Sequence, residues 1–116
     1  MRSKPYDPKR WLMDIRDNIH AAWKFVEGVG YDDFRHDLMR IYATTRCLEI
    51  ISEASQRLPA DIKARNPRIE WAMMAGAGNV YRHDYEDVAA DLLWGTIKED
   101  LPELLTCVEA EIARFD

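Results

Sequence analysis

The chain has 116 residues, 47% of them hydrophobic and 32% charged, with a formal net charge of −5. That length holds one domain with a real core, and the balance excludes disordered and collagen-like classes. No apolar run reaches the ~18–20 residues of a membrane span, and the acidic total argues against broad binding to duplex nucleic acid while leaving room for a local basic cleft.

The first eight residues, Met-Arg-Ser-Lys-Pro-Tyr-Asp-Pro, lack the apolar stretch of a signal peptide, so the expected location is the cytoplasm. Cys47 and Cys107 are then expected to be reduced and packed. Residues 1–7 read as an N-terminal arm to a single helical domain spanning 1–116.

Apolar residues at Trp11, Ile15, Ile19, Ala22 and Val26 recur every three or four positions, the period of a helix. Asp7-Pro8 opens that helix as N-cap and first-turn proline, and Gly28-Val29-Gly30 closes it. A second helix is expected from after Tyr31, capped by Asp32 or Asp33, to about Leu58. Its stripe is Ala43, Cys47, Ile50, Ala54 and Leu58, with Phe34, Leu38, Ile41 and Leu48 on an adjoining face.

Pro59 ends that helix, residues 59–65 form one or two short turns, and Asn66-Pro67 breaks the chain. A third helix runs from Ile69 to about His83. The fourth begins near Asp87 and carries Leu93, Ile97, Leu101, Leu104, Val108, Ile112 and Phe115, with a kink at Pro102. No segment alternates like a half-buried strand. The expected fold is all-α: a four-helix up-and-down bundle with a short extra helix between the second and third long helices.

Most common chemistries find no support in the residues. His20, His36 and His83 are scattered, and neither a His-Glu-x-x-His nor a zinc-spaced cysteine pair is present. No Glu-x-x-His pairs suggest a di-iron bundle, and no serine sits in a nucleophile elbow. Arg35-His36-Asp37 reads as a solvated helix start.

Residues 76–85, Gly-Ala-Gly-Asn-Val-Tyr-Arg-His-Asp-Tyr, stand apart. Gly76 and Gly78 each cost about 1 kcal/mol relative to Ala inside a helix, which suggests close approach by a ligand or another backbone. Asn79 and His83 are four apart and share a face. His is suited to proton transfer near neutral pH, and Arg82 carries a fixed charge matched to phosphate. A histidine satisfied at a helix end, with Arg82 and Asp84 solvated, is the plainer alternative.

This segment, together with Ile51-Ser-Glu-Ala-Ser-Gln-Arg-Leu-Pro59, Asn66-Pro-Arg-Ile-Glu-Trp71, Leu92-Leu-Trp94 and Asp100-Leu-Pro-Glu-Leu104, resembles the HepT-like members of the HEPN superfamily. The resemblance covers about half the chain. It implies a homodimeric four-helix bundle that cleaves RNA without metal or cofactor, as the toxin of a type II- or VII-like toxin–antitoxin pair. A minimal nucleotidyltransferase antitoxin would be its partner, and no membrane is involved.

In that family an Arg, an Asn directly after it and a His five positions after the Arg line a cleft between protomers. A Tyr two residues beyond the His is the site of AMP attachment. Carried over, these roles fall on Asn79, His83 and Tyr85, while the Arg position holds Gly78. Arg82, four residues on, lies on nearly the same face and leans back toward position 78. Either Arg82 takes over the phosphate contact or cleavage is impaired, leaving a dimeric nucleotide- or RNA-binding or regulatory module. Asp84 and Glu53 are candidate cleft residues beside Gly78. Glu49 and Glu53, one turn apart on the second helix, are expected either to hydrogen-bond near the cleft or to form an exposed acidic face. Trp71 and Trp94 are expected as core or interface anchors rather than base-stacking platforms.

Overall fold

A computed structural model of the chain describes residues 7–74 and 87–115, and every element among them is helical. Helix α1 spans Pro8–Phe25, a single turn α2 spans Tyr31–Phe34, α3 spans Leu38–Arg57 and α4 spans Ala60–Arg65. Residues 71–74 are also helical. Helix α5 (Asp87–Gly95) continues through a π-helical turn (Thr96–Asp100) into α6 (Leu101–Ala113). Of the expected N-terminal arm, residues 1–6 lie outside the described residues and Asp7 heads α1.

Helix α1 packs against α3 and α6, and α5 packs on α3, so the all-α bundle read from the sequence is the fold found. Its centre is made of side chains that recur at helical spacing. Leu12, Ile15, Ile19 and Ala22 come from α1, and Leu48 and Ile51 from α3. Leu93, Ile97, Leu101, Leu104 and Val108 complete it, and all of these are fully or almost fully buried. Each large aliphatic contributes ~1.5–3 kcal/mol by leaving water. Cys47 is buried and Cys107 half-buried, both as free thiols. Burial raises both pKa values, that of Cys107 to about 11 with help from Glu111 and Glu103.

The second helix departs from the expected continuous element. Neither Asp32 nor Asp33 is its cap; Gly30 occupies that position for the single turn of α2. The chain then breaks at Arg35–Asp37, and Asp37 caps α3 by accepting a hydrogen bond from the Arg40 N–H. Arg40 also pairs through its guanidinium with Asp37, and its Nε donates to the Phe25 carbonyl at 2.9 Å. These contacts tie the start of α3 to the end of α1. The same bonds hold the Asp37 carboxyl below the ordinary carboxylate value, first through the Arg40 backbone and then through its side chain. The Arg35-His36-Asp37 motif is thus structural, as read, but as a helix stop and cap.

Smaller corrections follow from packing. Asp7 holds the N-cap position of α1 without a side-chain cap bond. Ile50 is half-buried while Ile51 is fully buried, and Leu38 and Phe115 are exposed. Burial on α3 includes Thr44, whose hydroxyl donates to the Arg40 carbonyl at 2.8 Å.

Pro102 produces a π turn rather than a simple kink. In that turn the Leu101 N–H donates five residues back, to the Thr96 carbonyl. The next donor in this register would be residue 102, and proline has none. The carbonyl it would have met, that of Ile97, instead accepts from Trp23 Nε1 at 3.1 Å. A tryptophan from α1 therefore fills the position that Pro102 leaves open.

One polar cluster is buried in the bundle. Glu111 on α6 is 4% exposed. Its carboxylate accepts from Arg65 Nη2 at 2.8 Å, Arg65 Nε at 3.3 Å and Asn66 Nδ2 at 3.0 Å. The Arg65 hydrogen bond, then the Asn66 hydrogen bond and the charges of Arg65 and Arg114, hold the Glu111 carboxyl below its ordinary value of 4.5 against the opposing effect of burial. Because the folded pKa is depressed, this stabilisation is present above pH 4.5 and is lost as pH falls through the folded value. Glu111→Gln is therefore expected to lower unfolding free energy by about 1–3 kcal/mol at pH 7. The gap to wild type should narrow in chemical denaturation below pH 4.5, and a pH-independent gap would contradict the assignment.

Candidate active site

The residues singled out in the sequence divide sharply. Gly78, Asn79, Arg82, His83, Asp84 and Tyr85 lie outside the described residues. Glu53 is described and exposed on α3, its carboxylate 3.4 Å from Arg57 one turn on. Glu49 is half-buried, 3.9 Å from Arg46. The exposed Glu53–Arg57 pair contributes little to stability and belongs to a charged α3 surface.

What the structure supplies is the mounting on both sides of the 75–86 segment. Upstream, the Glu111 cluster fixes the turn that follows α4. Asn66, held by Glu111, also donates from Nδ2 to the Ile62 carbonyl at 2.8 Å. The Asn66 carbonyl accepts from Trp71 Nε1 at 3.0 Å, and Met74 is buried. A small cavity of about 70 Å³ between residues 68–74 and the start of α6 is lined by Glu70, Met73, Met74, Asp100 and Leu104, among others. Burial, followed by the charges of Glu99 and Glu70, raises the Asp100 pKa, and Glu70 and Asp100 line the same cavity.

Downstream, α5 is anchored to α2. The Tyr31 hydroxyl donates to Asp91 Oδ1. The Trp94 ring lies 5.7 Å from Tyr31 and 5.2 Å from Phe34 between centroids, with Lys98 Nζ 4.8 Å from the Trp94 centroid. Ala90 and Leu93 are fully buried. Trp71 and Trp94 are both half-buried, each engaged in the fold as a sequence reading of anchors expects.

Sequence reasoning missed the two groups that hold these mounts. Glu111 sits beside Ile112 in a stripe whose charged members read as solvent-facing, and Arg65 reads as one more basic residue at a helix end. The available signal was Asn66-Pro67 itself, since a broken helix leaves carbonyls that need donors. Asp91 and Tyr31, sixty residues apart, offered no local signal.

Comparison with known proteins places the chain. Residues 15–111 match the family described as ribonuclease HepT-like, a span that takes in Asn79, Arg82, His83 and Tyr85. The protein named "Probable ribonuclease HepT" from Thermococcus cleftensis is 38% identical over 96 residues, which cover 83% of this chain and 87% of that one. "Putative RNase MJ1380" from Methanocaldococcus jannaschii is 35% identical over 103 residues, covering 89% of this chain and 94% of the relative. No solved structure matches the chain. Among the described residues no helix is long and apolar enough to cross a membrane. The chain belongs to the HepT-like ribonuclease family.

Proposed function

We propose that this protein is a cytoplasmic endoribonuclease toxin that cuts RNA without metal and is silenced when a partner nucleotidyltransferase attaches AMP to Tyr85. One observation supports the reading: Asn79, His83 and Tyr85 stand at the spacing that the resemblance implies and fall inside the matched span 15–111. The RNA 2′-hydroxyl, which DNA lacks, is the nucleophile on the adjacent phosphorus. His83 takes its proton or protonates the leaving 5′-oxygen, and two copies across a dimer divide those tasks. Arg82, in place of the arginine that position 78 lacks, offsets charge on the phosphorane-like transition state. Asn79 orients His83 or binds the phosphate.

Gly78 favours a second reading, an impaired RNA-binding module, and kinetics separates the two. Cleavage of a labelled RNA by purified protein is expected to slow by ~10²–10⁴-fold in His83→Ala. Arg82→Ala should lose ~10²–10³-fold. A wild type no faster than His83→Ala would establish the impaired module, and full activity in Arg82→Ala would remove the role assigned to Arg82.

Silencing follows from charge. Attack of the Tyr85 oxygen on the α-phosphate of ATP releases pyrophosphate and leaves an AMP whose phosphate repels RNA. Co-expression with an adjacent nucleotidyltransferase should add whole AMP increments to the intact mass. Increments that persist in Tyr85→Phe would refute this site.

The proposed dimer would use an exposed apolar face of α3. Leu38, Met39 and Tyr42 are 60%, 82% and 67% exposed on α3. Tyr42 shares a face with Arg46, Glu49 and, about three turns along, Glu53. A two-fold contact repeats one patch on both protomers, covers these apolar side chains and leaves the Glu53 region at its edge. Light scattering should report a dimer for wild type and a monomer for Met39→Glu/Tyr42→Glu; a dimeric double variant would move the interface elsewhere.

A further inference from the structure

An open groove of about 800 Å³ lies between the end of α1, the 26–30 turn and the π turn. The described residues that give it chemistry are His20, Trp23, Lys24 and Lys98, with Glu27 on the same wall. The His20 and Trp23 rings meet at 83° with centroids 5.9 Å apart, forming a two-sided aromatic corner. The Trp23 side of that corner is held in place, because Trp23 Nε1 donates to the Ile97 carbonyl at the position Pro102 cannot serve. His20, Lys24 and Lys98 are all exposed.

We infer that this groove is a subsite for single-stranded RNA, holding one nucleotide outside the cleavage position. The groove falls in the ~300–1,000 Å³ range of small-ligand sites. Aromatic faces take any base by stacking, and ammonium groups take the flanking phosphates. Both lysines stand in a chain of net charge −5, so the groove runs against the molecule's average field. Glu27 pairs with Lys24 at 3.1 Å, but both side chains are more than two-thirds exposed, and such a pair yields readily to a phosphate. The corner selects a base over an acidic peptide, which would use the charges alone. This inference rests on the ribonuclease reading and names a further contact of that substrate.

The test uses the full chain carrying His83→Ala, so that bound RNA stays intact. A short fluorescein-labelled single strand is titrated by anisotropy over a range of salt concentrations, with and without His20→Ala, Lys24→Gln and Lys98→Gln. Loss of one stacked base predicts about ten-fold weaker binding. Loss of two phosphate contacts predicts a salt slope shallower by ~1.4. Because all three side chains are exposed, the variants should stay folded with at most a small drop in melting temperature from the lost Lys98 contact with Trp94, and Lys98→Gln alone should give part of the slope change.

RNA binding with unchanged affinity and slope in the triple variant overturns the subsite. So does equal competition by poly-glutamate, or His20 resonances that respond to inorganic phosphate and not to RNA. Wild-type cleavage discriminates the two levels: cleavage with an unaltered groove variant removes the subsite alone, whereas a wild type that neither binds nor cuts RNA removes both readings.

Discussion

The buried carboxylate of Glu111 is the interaction on which the geometry leading to the candidate segment depends. It gathers Arg65 from the end of α4 and Asn66 from the following turn onto α6. A carboxylate this far from water is tolerable only when its lone pairs are met. Arg65 and Asn66 supply three donors. Asn66 in turn offers its carbonyl to Trp71. A charge in the last helix thus decides where the helical residues 71–74 begin, and with them the direction in which the chain enters the segment that carries Asn79 and His83.

The exit is controlled by different physics. Aromatic packing of Trp94 on Tyr31 and Phe34, and the Tyr31–Asp91 hydrogen bond, bind α5 to the single turn of α2. One helical turn further, Pro102 and Trp23 together make a π turn whose open acceptor is closed from α1. Catalytic side chains need positions fixed to a fraction of an ångström. The described residues on either side, 71–74 and α5, are both held on the bundle core.

Much of the fold was legible because hydrophobic period and proline carry strong local signals. Ile15, Ile19, Leu93, Ile97 and Val108 recur at helical spacing and are buried. Pro59 and Asn66-Pro67 punctuate the chain where the helices stop. The break before α3 was not legible, since Asp32, Asp33 and Asp37 are equally good caps in isolation and tertiary contacts of Arg40 decide among them. Nor was the π turn, which requires knowing that Trp23 comes alongside. Glu111 was missed because burial of a charge is decided by partners distant in sequence. The candidate site was legible only as a pattern: helical spacing sets Asn79 and His83 on one face, resemblance added Tyr85, and the family match spans all three, which lie outside the described residues.

The same pattern sets the chemical claim, in which RNA supplies its own nucleophile and His83 manages the protons. The ends of the products report this directly. Wild-type protein incubated with RNA in excess EDTA should leave 2′,3′-cyclic phosphate and 5′-hydroxyl termini. Cleavage that requires added magnesium and leaves 5′-phosphate and 3′-hydroxyl termini would contradict the account.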